Sequence, residues 1–152
     1  MTKLDDNISK IESVLKSNGL QYRLEDSSFL IPFTGNNGTT FFQIVMVTKN
    51  SATFYTGIFD GVKEDRIRDI SQKFMRLNSE LIYGAYLVDP QSKKVVFKTS
   101  TYRDNGKLNR KDLSFHHRFG VFMISNLDKH LEERDIPPIT FDRTVPDGPM
   151  YS

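Results

Sequence analysis

Residues 114–120 read Ser-Phe-His-His-Arg-Phe-Gly, two adjacent histidines and an arginine set between phenylalanines. Imidazoles can act as general bases or as metal ligands, so this stretch is where an enzyme's chemistry would be sought. A catalytic or zinc centre needs side chains that converge on one point. On a helix, neighbours point about 100° apart, so His116 and His117 diverge. His116 and His130 share a face roughly, yet they lie about 21 Å apart along the axis and cannot share a metal. Asp112 and His116, at i and i+4, form the one good local pair, and no third ligand is evident beside them. The spacing predicts helix-surface or boundary histidines, and a metal-assisted hydrolase built on Asp112 and His116 ranks last among the readings.

Other chemical signatures are missing. There is no phosphate-binding glycine loop, no nucleophile elbow and no paired-histidine zinc motif. Cysteine is absent, which excludes disulfides, thiolate metal sites and cysteine nucleophiles. Glu64 and Asp65 fall at a helix start, where the macrodipole accounts for them. Glu25 and Asp26 are neighbours on an extended segment and point to opposite faces. The sequence therefore predicts a non-enzymatic protein that uses no metal and no cofactor.

The elements around these residues follow from periodicity. Leu4, Ile8, Ile11, Val14 and Leu15 recur at helical spacing before an Asn18-Gly19 stop. YRLEDSSFLIPF, TTFFQIVMVTKN and ATFYTGIF then read as three antiparallel strands, with turns at Asn36-Asn37-Gly38 and Lys49-Asn50-Ser51. Pro32 cannot donate to a ladder, so its strand should be an edge or end there. Ile67, Ile70, Phe74, Leu77 and Leu81 make a single helical stripe that Gly84 should end. YLVDPQSKKVVFKTSTY reads as a hairpin turning at Pro90-Gln91-Ser92. Asp112 or Ser114 could cap a third helix running to about Glu133. The predicted order is α-β-β-β-α-β-β-α: an α+β domain with an antiparallel sheet of about five strands and helices packed largely on one face. The domain spans 1–134, and a Pro-rich tail follows over 135–152.

At 152 residues the chain fits one domain with a sizeable core. Its net charge of +2 draws it toward neither nucleic acid nor anionic lipid. The N-terminal stretch lacks the apolar core and cleavage site of a secretion signal. No apolar run approaches the roughly eighteen residues of a membrane helix. The expectation is a cytoplasmic protein with no membrane contact.

Two features could carry function. From Lys93 to Arg118 there are eight basic residues against two acidic ones. Lys94, Lys98, Arg103, Lys107, Arg110 and Lys111 are the candidate basic surface, and with Phe97 and Tyr102 interleaved they make a nucleic-acid-binding regulator the alternative reading. The second feature is the third helix, in which Phe119 through Ile124 carries no polar side chain. A helix apolar all round needs cover on both sides. One side can meet the sheet; the other must meet Ile136, Ile139 and Phe141 of the tail, a second copy, or a client protein. Phe119, Phe122 and Met123 are the candidate protein contacts, Met for its adaptable thioether.

The segment FLIPF followed by TTFFQIVMV, then the helix ending MRLNSELIYGAYLVD, resembles the YbjN family of small bacterial proteins. Leu77-Asn78 with Gly84, Tyr86 and Asp89 after it is the strongest matching piece, and the resemblance spans about residues 4–133. It implies a sheet flanked by helices, similar to class I type III secretion chaperones. Relatives are described as regulators of sensory transduction or motility, and the secretion chaperones bind partly unfolded effectors as dimers. No catalytic residues carry over. The reading is a protein-interaction, chaperone-like or regulatory module with a protein partner or a homodimer.

Overall fold

The computed structural model describes residues 2–35 and 38–143; Asn36 and Asn37 of the first expected turn, and the tail from 144 onward, lie outside the described residues. The first helix, α1, spans Lys3–Ser17. Thr2 and Asp5 close a capping box at its start, each side chain accepting the other's backbone N–H, which satisfies donors that a helix end leaves open. Ile11, Val14 and Leu15 are buried beside Asn7. The Asn7 amide donates to the carbonyls of Thr48 and Lys49 and accepts from the Leu108 N–H. One buried side chain thus ties the helix to two loops, and leaving those groups unpaired would cost about 1–3 kcal/mol.

Six strands form one antiparallel sheet: β1 (Arg23–Glu25), β2 (Ser28–Thr34), β3 (Thr40–Val47), β4 (Ser51–Gly61), β5 (Ala85–Val88) and β6 (Lys94–Tyr102). Their order in space is β1-β2-β3-β4-β6-β5. The α+β class read from the sequence is the one observed. The extra strand arises because YRLEDSSFLIPF folds back on itself: Glu25 pairs with Ser28 across Asp26 and Ser27. Asp26 has φ 54°, a left-handed conformation that Asp tolerates in a tight turn. β1 covers β2 only from Ser28 to Leu30. Pro32 therefore sits where β2 has β3 on one side and no strand on the other, the place in a ladder where a missing N–H costs least.

The second helix, α2, spans Ile67–Asn78 after a single 3-10 turn at Glu64–Arg66, and it buries Ile70, Phe74 and Leu77. It stops short of Leu81 and Gly84 because Asn78 turns to the sheet. The Asn78 Nδ2 donates to the Tyr86 carbonyl at 2.9 Å, and its Oδ1 accepts the Tyr86 N–H at 2.8 Å. One side chain thereby occupies both backbone groups of an edge-strand residue that would otherwise offer a template for pairing. The partner of Asn78 thus lies eight residues on, not in the local helix-end backbone.

The long third helix is broken in two: α3 spans Arg110–Ser125 and α4 spans Leu127–Glu132. The break falls at Asn126, whose side-chain amide donates to the Phe122 carbonyl at 2.8 Å beside its own backbone N–H at 3.1 Å, so that carbonyl is shared between the ladder and the side chain. The N-cap is neither Asp112 nor Ser114 but Asn109, whose Oδ1 accepts from Lys111 and Asp112 N–H at 2.7 and 3.4 Å.

Two buried clusters hold the helices to the sheet. α1 packs with Leu108 and Leu113 on Phe29, Ile31, Val45 and Phe54. The other helices pack on Phe41, Ile58, Tyr86, Val95 and Phe97, together with Ile136 and Ile139 of the tail. The tail therefore joins the core just past the boundary expected at 134, and Asp142 bridges to Gly61 of β4. Both clusters draw their strand residues from one face of the sheet. The opposite face carries Leu30, Ile44, Met46, Tyr55 and Leu87, all half-buried.

Gly120 sets how closely α3 approaches the sheet. A Cβ there would lie 2.3 Å from Thr56 Oγ1 and 3.3 Å from Gln43 Nε2. Alanine favours a helix over glycine by about 1 kcal/mol, but this overlap forces the helix off β4. Gly120→Ala is expected to lower stability by about 1–3 kcal/mol, the usual cost of overpacking. Urea unfolding checks it; an unchanged or higher midpoint would show that α3 has slack.

Candidate functional site

The three imidazoles occupy three separate environments. His117 is buried under α3, a correction to its expected place at the surface or boundary of the helix. Its Nδ1 lies 2.7 Å from Gln43 Oε1, while Gln43 Nε2 donates to Thr56 Oγ1 at 2.9 Å and to the His117 carbonyl at 3.1 Å. A carbonyl only accepts, so the amide orientation is fixed, and His117 Nδ1–H must donate to Gln43 Oε1. Burial, with Arg118 as a lesser cause, lowers the His117 pKa to about 4, so it is neutral at physiological pH.

His116 stacks on Phe54 at 5.7 Å, and its Nδ1 is buried without a hydrogen-bond partner. Burial lowers its pKa against the opposing pull of Asp112. Asp112 itself pairs with Arg103 at 2.7 Å, which turns the one candidate ligand pair to structural use. His130 stands 3.3 Å from the Tyr86 hydroxyl, which donates to the Met123 carbonyl at 2.6 Å. Among the described residues, no three His, Cys, Asp or Glu side chains come together in a way that could hold a metal.

The outer face of α3 is where chemistry gives way to surface. The helix buries Leu113, His117, Gly120, Met123 and Ile124 against the sheet. Met123 is 4% exposed; it lies on the same side as Gly120 and Ile124, so it is core and not a contact residue. Phe119 is half-buried, edge-on to Phe97 at 5.5 Å and stacked on Phe115 at 5.2 Å. Phe122 is 55% exposed. The missed members are Phe115, 42% exposed, and Ile82 and Tyr83 before β5, 91% and 58% exposed. The Tyr83 ring meets Phe115 edge-on at 6.1 Å. The signal for them was two large apolar residues beyond the α2 stripe, just ahead of Gly84.

The candidate basic surface is not one surface. Lys94 is buried: its Nζ donates to the Phe59 carbonyl and sits 4.3 Å from the centroid of that ring. β6 alternates, so Lys98 falls on the face away from the helices, 5.5 Å from the Tyr55 ring. Arg103 is paired with Asp112. Lys107, Arg110 and Lys111 remain exposed around the start of α3. Strand alternation and one ion pair scatter what the linear charge run had joined.

Among the described residues, no helix is long and apolar enough to cross a membrane. No family model matches the sequence, and no curated protein matches it. Among solved structures, the chain is similar to the crystal structure of YbjN from E. coli, a candidate transcription regulator. The TM-score is 0.62 at 13% sequence identity, over 86% of this chain and 96% of that one. The likeness is one of backbone architecture, and it agrees with the family resemblance read from the strand and helix motifs. The chain has a YbjN-like fold.

Proposed function

We propose that this protein is a non-enzymatic interaction module, chaperone-like or regulatory, that takes a protein partner on the outer face of α3. The observation that carries the reading is the row of exposed apolar side chains on and beside α3: Tyr83 against Phe115, Phe115 stacked on half-buried Phe119, and Phe122 one turn further along the helix, with Ile82 exposed next to Tyr83 in the chain. Clustered exposed rings of this kind mark contact surfaces, and aromatic residues are enriched at the cores of such interfaces. A second copy of the chain is one such partner. The similar E. coli structure is described as a candidate transcription regulator, and a regulatory role is in keeping with that description.

The nucleic-acid alternative has exposed Lys107, Arg110 and Lys111 in its favour. Its mark would be binding to generic RNA or DNA that falls steeply with salt. The test of the main reading is capture from the native cell by wild type and by Phe122→Asp, with mass spectrometry of what is held. The exposed substitution is expected to leave the thermal midpoint within about 2 °C and to remove the captured partner. A variant that unfolds, or that captures the same protein equally well, would overturn the reading.

A further inference from the structure

The most exposed line on α3 is not simply apolar. Lys111, Phe115, Arg118 and Phe122 are all exposed, and they are spaced by four, three and four residues. That spacing places them on a single stripe, the spacing of a seam between two packed helices. The stripe is about 16 Å long. Its cations recur after seven residues and so do its rings, which makes alternating basic and aromatic layers.

The charge along this seam is one-sided. Asp112 is the only carboxylate in α3, and it is held by Arg103 at 2.7 Å. Neither Lys111 nor Arg118 forms an ion pair among the described residues. The next carboxylate along the chain, Asp128, lies past the break at Asn126. The rings are already engaged by their neighbours. Phe115 stacks on Phe119 at 5.2 Å and receives Tyr83 edge-on, and Phe122 is 6.1 Å from the His130 ring. Stacking on Phe119 takes one face of Phe115, whereas single-stranded nucleic acid needs free ring faces on which bases can stack.

Building on the reading of α3 as the docking surface, we infer that the Lys111–Phe115–Arg118–Phe122 ridge packs against an acidic amphipathic helix of a partner protein. Carboxylates seven residues apart on that helix meet the two cations. Aliphatic side chains between them fill the space beside Phe115 and Phe122, with Tyr83 as a wall at Phe115. Ion pairs at the flank of an apolar seam set partner choice more than they set affinity.

The test selects from a displayed library of random peptides of roughly 16 residues, enough for two heptads. Peptides are kept that bind wild type and fail to bind Phe122→Asp. The expected winners carry an excess of Asp and Glu, with acids seven residues apart. Their affinity should fall at least about tenfold with Arg118→Glu, and it should weaken as salt is raised from roughly 50 to 500 mM. Arg118→Lys should keep most of the binding, and both variants should melt with wild type. Phe122-dependent peptides with no acidic excess, or with affinity indifferent to Arg118→Glu, would overturn the acidic partner and leave the docking surface standing. If no Phe122-dependent peptide emerges, both ideas fall. If single-stranded DNA of about a dozen nucleotides binds in an Arg118-dependent way and more tightly than any selected peptide, the ridge belongs to nucleic acid instead.

Discussion

Replacing Tyr86 with alanine is expected to remove about 4 kcal/mol of folding stability, in the range for deleting a large buried aromatic ring. Tyr86 is one of the largest fully buried side chains. Its ring lies 4.8 Å from Phe97 and 5.5 Å from Phe74, so it joins the edge strand β5 to both β6 and α2. Its hydroxyl reaches across the core to the Met123 carbonyl at 2.6 Å, which fixes α3 over the sheet. Burial raises its pKa, so the hydroxyl stays protonated and able to donate. Tyr86→Phe keeps the ring and loses only the hydrogen bond, so it should cost about 1 kcal/mol. Urea unfolding of the two variants separates the contributions. Equal losses would mean that the hydroxyl, rather than the ring, holds this part of the core.

Acidification is expected to unfold the protein through His117. Its pKa is about 4 in the folded chain against an ordinary 6.5, so between these values the unfolded chain binds a proton that the folded one refuses. The stabilising difference is complete above about pH 6.5, declines as pH falls, and is exhausted below about pH 4. Its size is about 3 kcal/mol, since each pKa unit is worth about 1.4 kcal/mol. Burial lowers His116 and His130 as well, and both act in the same direction. Unfolding free energies at neutral and mildly acid pH should diverge accordingly. His117→Gln should be less stable than wild type at neutral pH, because Gln43 and Thr56 lose their arrangement, yet it should lose less on acidification. Parallel losses in wild type and variant would show that carboxylates, not this imidazole, govern the acid limb.

The elements that were legible in the sequence are those in which one periodicity acts alone. Ile70, Phe74 and Leu77 have no competing pattern, and the helix they mark is present. Pro32 predicts an edge strand or a strand end; β2 instead lies inside the sheet order and runs on to Thr34, but β1 reaches only to Leu30, so Pro32 has no strand on one side. The failures have physical causes. Asp26 hid a hairpin inside what looked like one strand, since a two-residue turn needs only one left-handed residue. The third helix breaks at Asn126, where the side-chain amide shares the Phe122 carbonyl with the ladder, although the apolar pattern runs straight through.

On α3 the run from Phe119 to Ile124 is apolar on every side, so composition could not say which residues meet the sheet. Gly120 decides it, because α3 lies so close to β4 there that a Cβ would fall 2.3 Å from Thr56 Oγ1. Once Gly120 faces inward, Met123 and Ile124 follow it and Phe122 points out. Lys94 shows the converse for charge: a long aliphatic stem can be buried while its ammonium finds a carbonyl and a ring.

The most direct measurement is amide hydrogen exchange of the chain, alone and with its captured protein partner. Added protection should fall on the outer turns of α3 between Arg110 and Ser125 and on the segment around Ile82 and Tyr83. Protection confined instead to the open sheet face, at β3 around Ile44 and Met46 and at β5 around Leu87, with α3 unchanged, would contradict the account.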